Sequence, residues 1–406
     1  IKKNRKCLVF TIICLAYMPG SYALYQLSVY ASELIQSFGL TTSQFSSLFT
    51  APMIVAIFLS FVGGMISDKV GSKKVINISF VIAGIGMIGR VFANSYMPFF
   101  LCMALTGFSN MFVNINASKI TASWFEQEKL GILMGIFGFC GQLPGAFATA
   151  TTAVLFDSRT SAFIVSAIFC SSVFVLWLLF VKDKPEDTME EREKIDQENQ
   201  PSIGDSLKVV LSNKGVWLVS ICIMMALGST VTLSTFMPMA LQTMYGIDMK
   251  VCGTIASMLT LGNCIGSITG PIVFSKIKNV KVFVSGAAVL SFAGIIMCWR
   301  FPSIFVLHIL VLYIGIMLGA SMPIFLSAPV LLEGLGTKYA GSAAGVISTL
   351  QLLGAVLIPT YILTPIAGEN YSLLFMLASI CMVIMFLCGL LLTQFGNNQK
   401  SESPNT

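Results

Sequence analysis

The feature that most constrains this chain is a succession of long apolar stretches with almost no charged residues. Hydrophobic residues make up 56% of the 406 positions and charged residues only 10%, whereas a soluble domain carries roughly 25% charged residues. A helix needs about 20 apolar residues to cross the hydrocarbon core of a bilayer, and each stretch is long enough. The stretches are continuous rather than alternating, which favours membrane helices over the strands of a membrane barrel.

Twelve such stretches predict twelve transmembrane helices, which we number spans 1 to 12. The expected fold class is therefore an all-α polytopic membrane protein. The predicted spans cover residues 8–30, 44–66, 75–94, 96–118, 130–153, 160–181, 213–241, 250–275, 281–299, 302–328, 339–365 and 371–394.

Lysine and arginine residues are distributed unevenly between the two sides of these spans. If both termini face the cytoplasm, twenty of the 24 fall in cytoplasmic segments, and only Arg90, Arg159, Lys250 and Arg300 fall outside. Positive residues accumulate on the cytoplasmic side of membrane proteins. The distribution predicts a multi-pass protein of the plasma membrane with cytoplasmic N- and C-termini. It also supports the span count, because a missing span would break the alternation.

The longest polar stretch lies between spans 6 and 7, near the middle of the chain. It is rich in charged residues and contains Pro185 and Pro201, which is typical of an exposed and partly helical linker. We therefore predict an N-terminal six-helix bundle at 1–181, a cytoplasmic linker at 182–212, a C-terminal six-helix bundle at 213–396 and a disordered tail at 397–406.

The two predicted bundles resemble each other at an offset of about 207 residues. Gly20-Ser21 aligns with Gly228-Ser229, and the basic loop Lys69–Lys74 aligns with Lys276–Lys281. Two repeated halves joined by a linker are typical of secondary transporters, in which the substrate binds near the midplane between the halves.

The loop after span 2 carries the pattern that points to a family. It reads Gly64-Met65-Ile66-Ser67-Asp68-Lys69-Val70-Gly71-Ser72-Lys73-Lys74. This loop resembles the signature of the major facilitator superfamily, in which Gly, Asp, a basic residue and Gly precede further basic residues between spans 2 and 3. Together with the twelve spans and the central linker, the resemblance covers nearly the whole chain. It implies two pseudo-symmetric six-helix bundles that move a small solute by alternating access.

The resemblance also implies that the signature loop closes one side of the protein. In this family the motif's Asp accepts hydrogen bonds from the start of span 11 and interacts with that helix dipole. Asp68 is therefore expected to face Thr337–Gly341. The alternative is that Asp68 is a solvated loop charge and that the lysines only set the topology. The predicted gating residues are Gly64, Asp68, Lys69, Gly71 and Lys73.

The interior of the predicted spans offers few charged or titratable groups. Met103 occupies the position in span 4 at which many proton-coupled members of the family carry an arginine. Arg90 and Arg300 are expected to snorkel to the outer surface, with a role at the mouth of the cavity as the alternative. His308, the only histidine, is either a possible proton carrier or a hydrogen-bonded packing residue. Proton symport driven by a carboxylate therefore has little support.

Uncharged polar side chains supply the candidate substrate ligands. In this family spans 1, 4, 7 and 10 line the cavity, with contributions from spans 2, 5, 8 and 11. Buried amides need hydrogen-bond partners, so each candidate either binds the solute or links helices to each other. Both interpretations stay open for each residue. The predicted substrate-binding residues are Tyr22, Gln26, Asn110, Asn114, Gln142, Asn263 and Gln351.

A secondary transporter is favoured over two other classes of function. The sequence has no phosphate-binding Gly-Lys-Ser/Thr loop, no nucleophile–base cluster and no metal-ligand spacing among its eleven scattered cysteines. We therefore expect neither an enzyme nor a pump, and no catalytic residue, cofactor or metal. A non-transporting membrane sensor on the same fold is the other alternative. The expected partners are a small solute and the lipid bilayer, without nucleic acid, and the expected state is a monomer.

No Lys or Arg is predicted at the midplane of the spans, which affects the expected class of solute and the expected driving force of transport. This absence counts against an inorganic anion and favours a neutral, zwitterionic or amphipathic organic solute. Facilitated diffusion, exchange or coupling through the charge of the substrate fits best. The alternative is a proton-coupled symporter or exchanger of a small organic carboxylate.

Overall fold

The computed structural model describes residues 2–125, 127–181, 203–298, 300, 303–332 and 335–392. Twelve helices in these ranges are long and apolar enough to cross a membrane, so the predicted number of spans is confirmed. Span 11 is the one with irregular geometry, since it continues past its first helix through a π-helical segment and a last helical turn. The spans are Lys2–Val29, Thr42–Val70, Ser72–Phe92, Tyr96–Trp124, Gln127–Leu155, Arg159–Phe180, Lys214–Tyr245, Met249–Ile277, Val280–Cys298, Ile304–Leu331, Gly336–Leu357 with Ile358–Leu363 and Thr364–Ala367, and Tyr371–Leu391.

Short connections reverse the chain between successive spans, which gives the molecule two faces. The linker face carries the start of span 1, the end of span 6, the start of span 7 and the end of span 12. The distal face lies opposite. A short helix at Ala31–Phe38 lies on the distal face, and another at Ile203–Ser212 precedes span 7 on the linker face. The rest of the predicted linker, 182–202, and the predicted tail lie outside the described residues.

Local sequence signals explain how tightly the spans are connected. Gly39 and Gly246 adopt left-handed backbone conformations that end the helices before them on the distal face, which glycine allows without strain. Thr41 and Gln44 then form a reciprocal capping box at the start of span 2. The Asn213 side chain caps span 7 in a similar way. These caps satisfy backbone N–H groups that a helix end leaves unpaired.

The two halves have the same internal packing. Span 1 packs against spans 4, 5 and 6, and span 4 also contacts spans 2 and 3, while span 3 contacts span 6. The second half repeats the pattern, with span 7 against spans 10, 11 and 12, span 10 against spans 8 and 9, and span 9 against span 12. Span 5 joins span 8, and span 2 joins span 11, across the boundary. The pseudo-symmetry predicted from the sequence repeat is therefore present.

Spans 3, 6, 9 and 12 form the outside of the molecule. Their exposed side chains include Ile85, Ile168, Leu290 and Leu387. Apolar side chains in this position face lipid in a membrane protein. The remaining eight spans are left to line the space between the halves, and the polar candidates of the sequence analysis lie on these spans.

Candidate functional site

Hydroxyl groups join spans 2 and 11 across the boundary between the halves. The Ser43 hydroxyl lies 2.9 Å from the Thr364 hydroxyl. The Thr360 hydroxyl lies 2.9 Å from Ser46 and 3.2 Å from Thr50. We call these five residues the hydroxyl clasp. All of them lie in the parts of spans 2 and 11 that are nearest the distal face, so the clasp closes that face.

The backbone of span 11 departs from a regular α-helix at the hydroxyl clasp. Residues Ile358–Leu363 form a π-helical segment that includes Pro359 and Thr360. Proline has no backbone N–H and cannot continue the regular hydrogen-bonding pattern, which accounts for the irregular turn. Thr360 is only 2% exposed. Short π-helical segments are often found at functional sites, and this one carries the residue that contacts both Ser46 and Thr50.

Other contacts complete the closure of the distal face. The Ser32 hydroxyl donates a hydrogen bond to Gln242 Oε1 at 3.3 Å, and the rings of Phe45 and Phe236 meet edge to face at 5.8 Å. Gly253 of span 8 packs directly against the carbonyl oxygen of Thr149 in span 5. We call this group of contacts, together with the clasp, the distal seam.

Tyr25 lies at the same seam on span 1. Its side chain lies close to Ser234 of span 7 and Thr260 of span 8. The ring packs edge to face against Phe49 at 5.7 Å. Tyr25 is therefore a first-half side chain that lies close to the second half.

Toward the linker face, spans 5 and 11 have open space beside them. A Cβ atom built on Gly135, Gly138 or Gly345 would meet no other atom within 4 Å. Nearer the distal face, Gly141 and Gly145 pack tightly against Tyr17 and Tyr25 of span 1. Span 5 is thus in close contact with span 1 in its distal part and has space beside it in its linker part.

Gln142 lies beside this open part of span 5 and is exposed. One face of span 5 carries Gly138, Gly141, Gln142 and Gly145, which follow helical spacing. This face packs on span 1 at Gly141 and Gly145. The Gln142 amide therefore lies on the exposed side of span 5, next to the face that packs on span 1.

Two further predicted ligands are also accessible. Asn114 is exposed on the face of span 4 that it shares with Asn110, and Gln351 is half-buried in span 11. Among the described residues, no hydrogen bond to the side chains of Asn114, Gln142 or Gln351 is found. These three amides are free to bind a solute, and their role stays a prediction.

The other four predicted ligands are held by the protein itself. Asn110 packs against Gly20 and reaches Ser21 at 3.5 Å. Asn263 donates to the carbonyl oxygen of Leu259 in its own helix at 3.3 Å, and its backbone touches Gly319 of span 10. Such contacts link neighbouring helices.

Tyr22 and Gln26 belong to the same group. Tyr22 is buried near the rings of Phe147 and Phe169, with centroids 6.4 and 5.9 Å away. Gln26 is completely buried, and its amide donates to the carbonyl oxygen of Ala162 at 3.1 Å.

The prediction that the Arg90 side chain snorkels to the outer surface is wrong. It is only 1% exposed. Although Arg90 is two residues from the distal end of span 3, its side chain turns back into the first half. Nη1 donates to the carbonyl oxygen of Ala23 at 2.9 Å, and Nη2 donates to Gln26 Oε1 at 3.1 Å.

Span 6 completes the surroundings of the guanidinium group. Nη2 also donates to the Ser166 hydroxyl, and the guanidinium carbon lies 4.4 Å from the centre of the Phe163 ring. We call Arg90, Ala23, Gln26, Phe163 and Ser166 the arginine cluster. The side chain does not snorkel because polar acceptors of spans 1 and 6 bind the guanidinium group inside the first half.

Charges at the rim of the distal face pair with each other. Arg159 Nε lies 3.3 Å from a carboxylate oxygen of Glu33, whose side chain is 50% exposed. Burial raises the pKa of the nearby Tyr30 hydroxyl to about 12, and the negative charges of Glu33 and Asp157 contribute. Tyr30 therefore stays protonated at neutral pH.

His308 bridges spans 8 and 10 near the distal face. Its Nδ1 lies 2.8 Å from the carbonyl oxygen of Ile304, and its Nε2 lies 3.2 Å from the Thr254 hydroxyl. Both ring nitrogens are engaged, which is the arrangement expected of a packing residue. A role as proton carrier stays a prediction.

The signature loop forms a single tight turn on the linker face. Span 2 ends at Val70, Gly71 has φ +95°, and span 3 begins at Ser72. The Ser67 hydroxyl accepts a hydrogen bond from Asn116 of span 4 at 3.0 Å, which fixes the loop to that span. Lys73 is half-buried. The structure does not describe the surroundings of Gly64 or the side chains of Asp68 and Lys69. It also leaves out most side chains of Thr337–Gly341, so the gating contact stays a prediction.

Several known proteins are similar to this chain over most of its length. A probable sulfoacetate transporter of Cupriavidus necator is 23% identical over 84% of this chain and 83% of its own. A hexuronate transporter of Escherichia coli K12 is 22% identical over 73% of this chain and 72% of its own. The crystal structure of a point mutant of the nucleoside transporter NupG superposes with a TM-score of 0.75, over 96% of this chain and 99% of that one, at 15% identity.

The nucleoside transporter structure shows the fold, and the family rests on a longer sequence match. The sequence model of the Major Facilitator Superfamily matches residues 9–359, which include the signature loop, most of the distal seam and the arginine cluster. The resemblance seen in the signature loop is therefore confirmed, and this chain belongs to the Major Facilitator Superfamily.

Proposed function

We propose that this protein is a secondary transporter that carries a small organic anion across the membrane by alternating access between its halves. The observation that carries the proposal is that the described contacts between the halves concentrate at the distal face. The distal seam closes one face, while the linker parts of spans 5 and 11 have open space beside them. A carrier that rocks around a central site must close one face while the other is open. With both termini in the cytoplasm, this state opens to the cytoplasm.

The class of substrate is proposed from the relatives and from the available amides. Sulfoacetate and a hexuronate both carry a carboxylate group, and these substrates appear in the names of two relatives. Asn114, Gln142 and Gln351 provide amide N–H groups that donate to carboxylate, sulfonate and hydroxyl oxygens. The proposal therefore favours a small acid over the neutral or zwitterionic solutes that the sequence alone favoured.

The experiment is uptake of radiolabelled galacturonate and sulfoacetate into proteoliposomes. Asn114→Ala and Gln351→Ala are expected to lower uptake at least tenfold without changing the melting temperature, because an amide that binds a charged group contributes about 2 kcal/mol. Thr349→Val in span 11 is the control, since its hydroxyl bonds only to Gly345 of its own helix among the described contacts. Wild-type protein that binds an acid but gives no flux would favour the sensor alternative.

Coupling is proposed to be facilitated diffusion or exchange. The sequence has no Asp or Glu in the middle of any predicted span, and both nitrogens of His308 are engaged. Uptake is therefore expected to continue when the pH gradient is collapsed with a protonophore. Flux that strictly requires an inward proton gradient would contradict this part of the proposal.

The hydroxyl clasp offers a direct test of alternating access. Thr360→Val removes the hydroxyl shared by Ser46 and Thr50 and is expected to destabilise the distal-closed state by about 1 kcal/mol. The distal-open state then becomes about fivefold more populated, so the apparent affinity for substrate added at the distal face rises. The measurement is KM for uptake in vesicles of known orientation. A KM equal to that of Thr349→Val would show that the clasp does not set this equilibrium.

A further inference from the structure

Arg90 is buried and forms no ion pair with the residues that the structure describes. It is the only charged side chain among the buried ones that the structure describes. The titratable groups near it are Cys170, Tyr22 and Cys102, and none of these is a carboxylate. Its Nε also has no hydrogen-bond partner among the described residues. A charge of this kind inside a membrane protein is expensive, and those that persist usually mark a function.

The arginine cluster lies beside the distal seam, on the opposite side of span 1. Arg90 donates to the carbonyl oxygen of Ala23, while the side chain of Tyr25, two residues further along, lies close to Ser234 and Thr260 of the second half. One helix, about 10 Å in diameter, therefore separates the charge from the route between the halves. Because Arg90 is 1% exposed, it does not touch a solute on that route.

We propose that Arg90 determines the charge selectivity of transport, because its buried and uncompensated positive charge favours an anion at the distal seam through span 1. This inference rests on the proposed function. A unit charge about 10 Å away at an effective dielectric constant of about 20 changes the affinity for a monovalent anion roughly tenfold. The hydrogen bonds to Ala23 and Gln26 fix the position of that charge. Arg90 thus contributes to the specificity for anions through its charge and does not contact the solute.

The test separates the charge of Arg90 from its hydrogen bonds. KM for galacturonate, or for sulfoacetate if only that acid is transported, is measured in proteoliposomes for Arg90→Met and Arg90→Lys. Arg90→Met is expected to raise KM about tenfold for galacturonate, and by more for sulfoacetate, because its sulfonate and carboxylate are both ionised. Arg90→Lys keeps the charge but loses the planar fork, so it lowers the melting temperature while KM stays within threefold. Equal KM values for the two variants would overturn the inference and leave Arg90 a structural role.

Gln26→Glu tests the same idea with Arg90 still in place. Gln26 is completely buried and its side-chain oxygen already accepts from Arg90, so a carboxylate there neutralises the charge without touching the solute. KM is expected to rise about tenfold although the fold is retained, and an unchanged KM would overturn the inference. Arg300→Met is the matched control, because this residue is exposed on the distal face and its loss should leave KM unchanged. A wild-type protein that moves neither acid would instead contradict the proposed function.

Discussion

The two halves share one packing pattern but are stabilised by different chemistry. In the first half, Arg90 of span 3 is buried and joins spans 1 and 6. The corresponding position in span 9, 207 residues further on, is Met297, which is 50% exposed. Gln26 of span 1 corresponds to Ser234 when Gly20 is aligned with Gly228, and Ser234 is buried but uncharged. Among the described residues, a buried charge is therefore found in the first half only.

The second half relies on close contact between the backbones of spans 8 and 10. Gly262 and Gly266 pack directly against carbonyl oxygens of Leu312 and Ile316, and Gly315 packs in return against the carbonyl oxygen of Leu259. Small residues allow membrane helices to approach this closely. Glycine contacts also occur in the first half, where Gly107 of span 4 packs against the carbonyl oxygen of Pro52 in span 2. The comparison therefore teaches that the same arrangement of helices is maintained with or without a buried arginine cluster.

The largest effect is expected from a side chain added between spans 8 and 10. The Cβ atom of Gly266→Val would overlap the carbonyl oxygen of Ile316, so the helices must separate, at a cost of about 3 kcal/mol. The melting temperature of the purified protein should fall steeply. The control is Gly286→Ala in span 9, where a Cβ atom meets nothing within 4 Å and alanine favours the helix. Similar melting temperatures for the two variants would refute the glycine contact.

An intermediate effect is expected when the arginine cluster of the first half loses an acceptor. Gln26→Ala removes a hydrogen bond from Arg90 and another to the carbonyl oxygen of Ala162, which should cost about 2 kcal/mol. Thermal unfolding is again the measurement. Gln142→Ala, at an exposed amide, is the matched control and should melt like the wild type. If both variants melt alike, the cluster does not stabilise the first half.

The smallest effect concerns two turns at corresponding positions on the linker face, in which Gly71 has ψ 135° and Lys278 has ψ 11°. Gly71 has φ +95°, and Lys278, 207 residues later, has φ +54°. A side chain at positive φ costs about 1 kcal/mol. Gly71→Ala should therefore lower the melting temperature, while Lys278→Gly should raise it slightly, because relief of strain exceeds the entropy lost on folding. Shifts in the same direction would contradict the expected strain at positive φ.

Much of the fold could be predicted from the sequence. Span length, the alternation of positive residues and the repeat gave twelve helices in two halves, and the loop around Asp68 and Gly71 indicated the family. These features depend on local composition and on the thickness of a bilayer. Candidate ligands were harder to predict, because whether an amide such as Gln142 faces the central space or a neighbouring helix depends on packing between distant spans.

The sequence by itself determined that this chain must cross the membrane many times, because apolar stretches of this length have no other stable environment. Only the tertiary structure decided where Arg90 points and what the serine and threonine residues of spans 2 and 11 do. From its position alone, two residues before the end of span 3, Arg90 has water within reach. The acceptors that hold it inside, at Ala23, Gln26 and Ser166, come from spans 1 and 6, and they reach it only when those spans pack together.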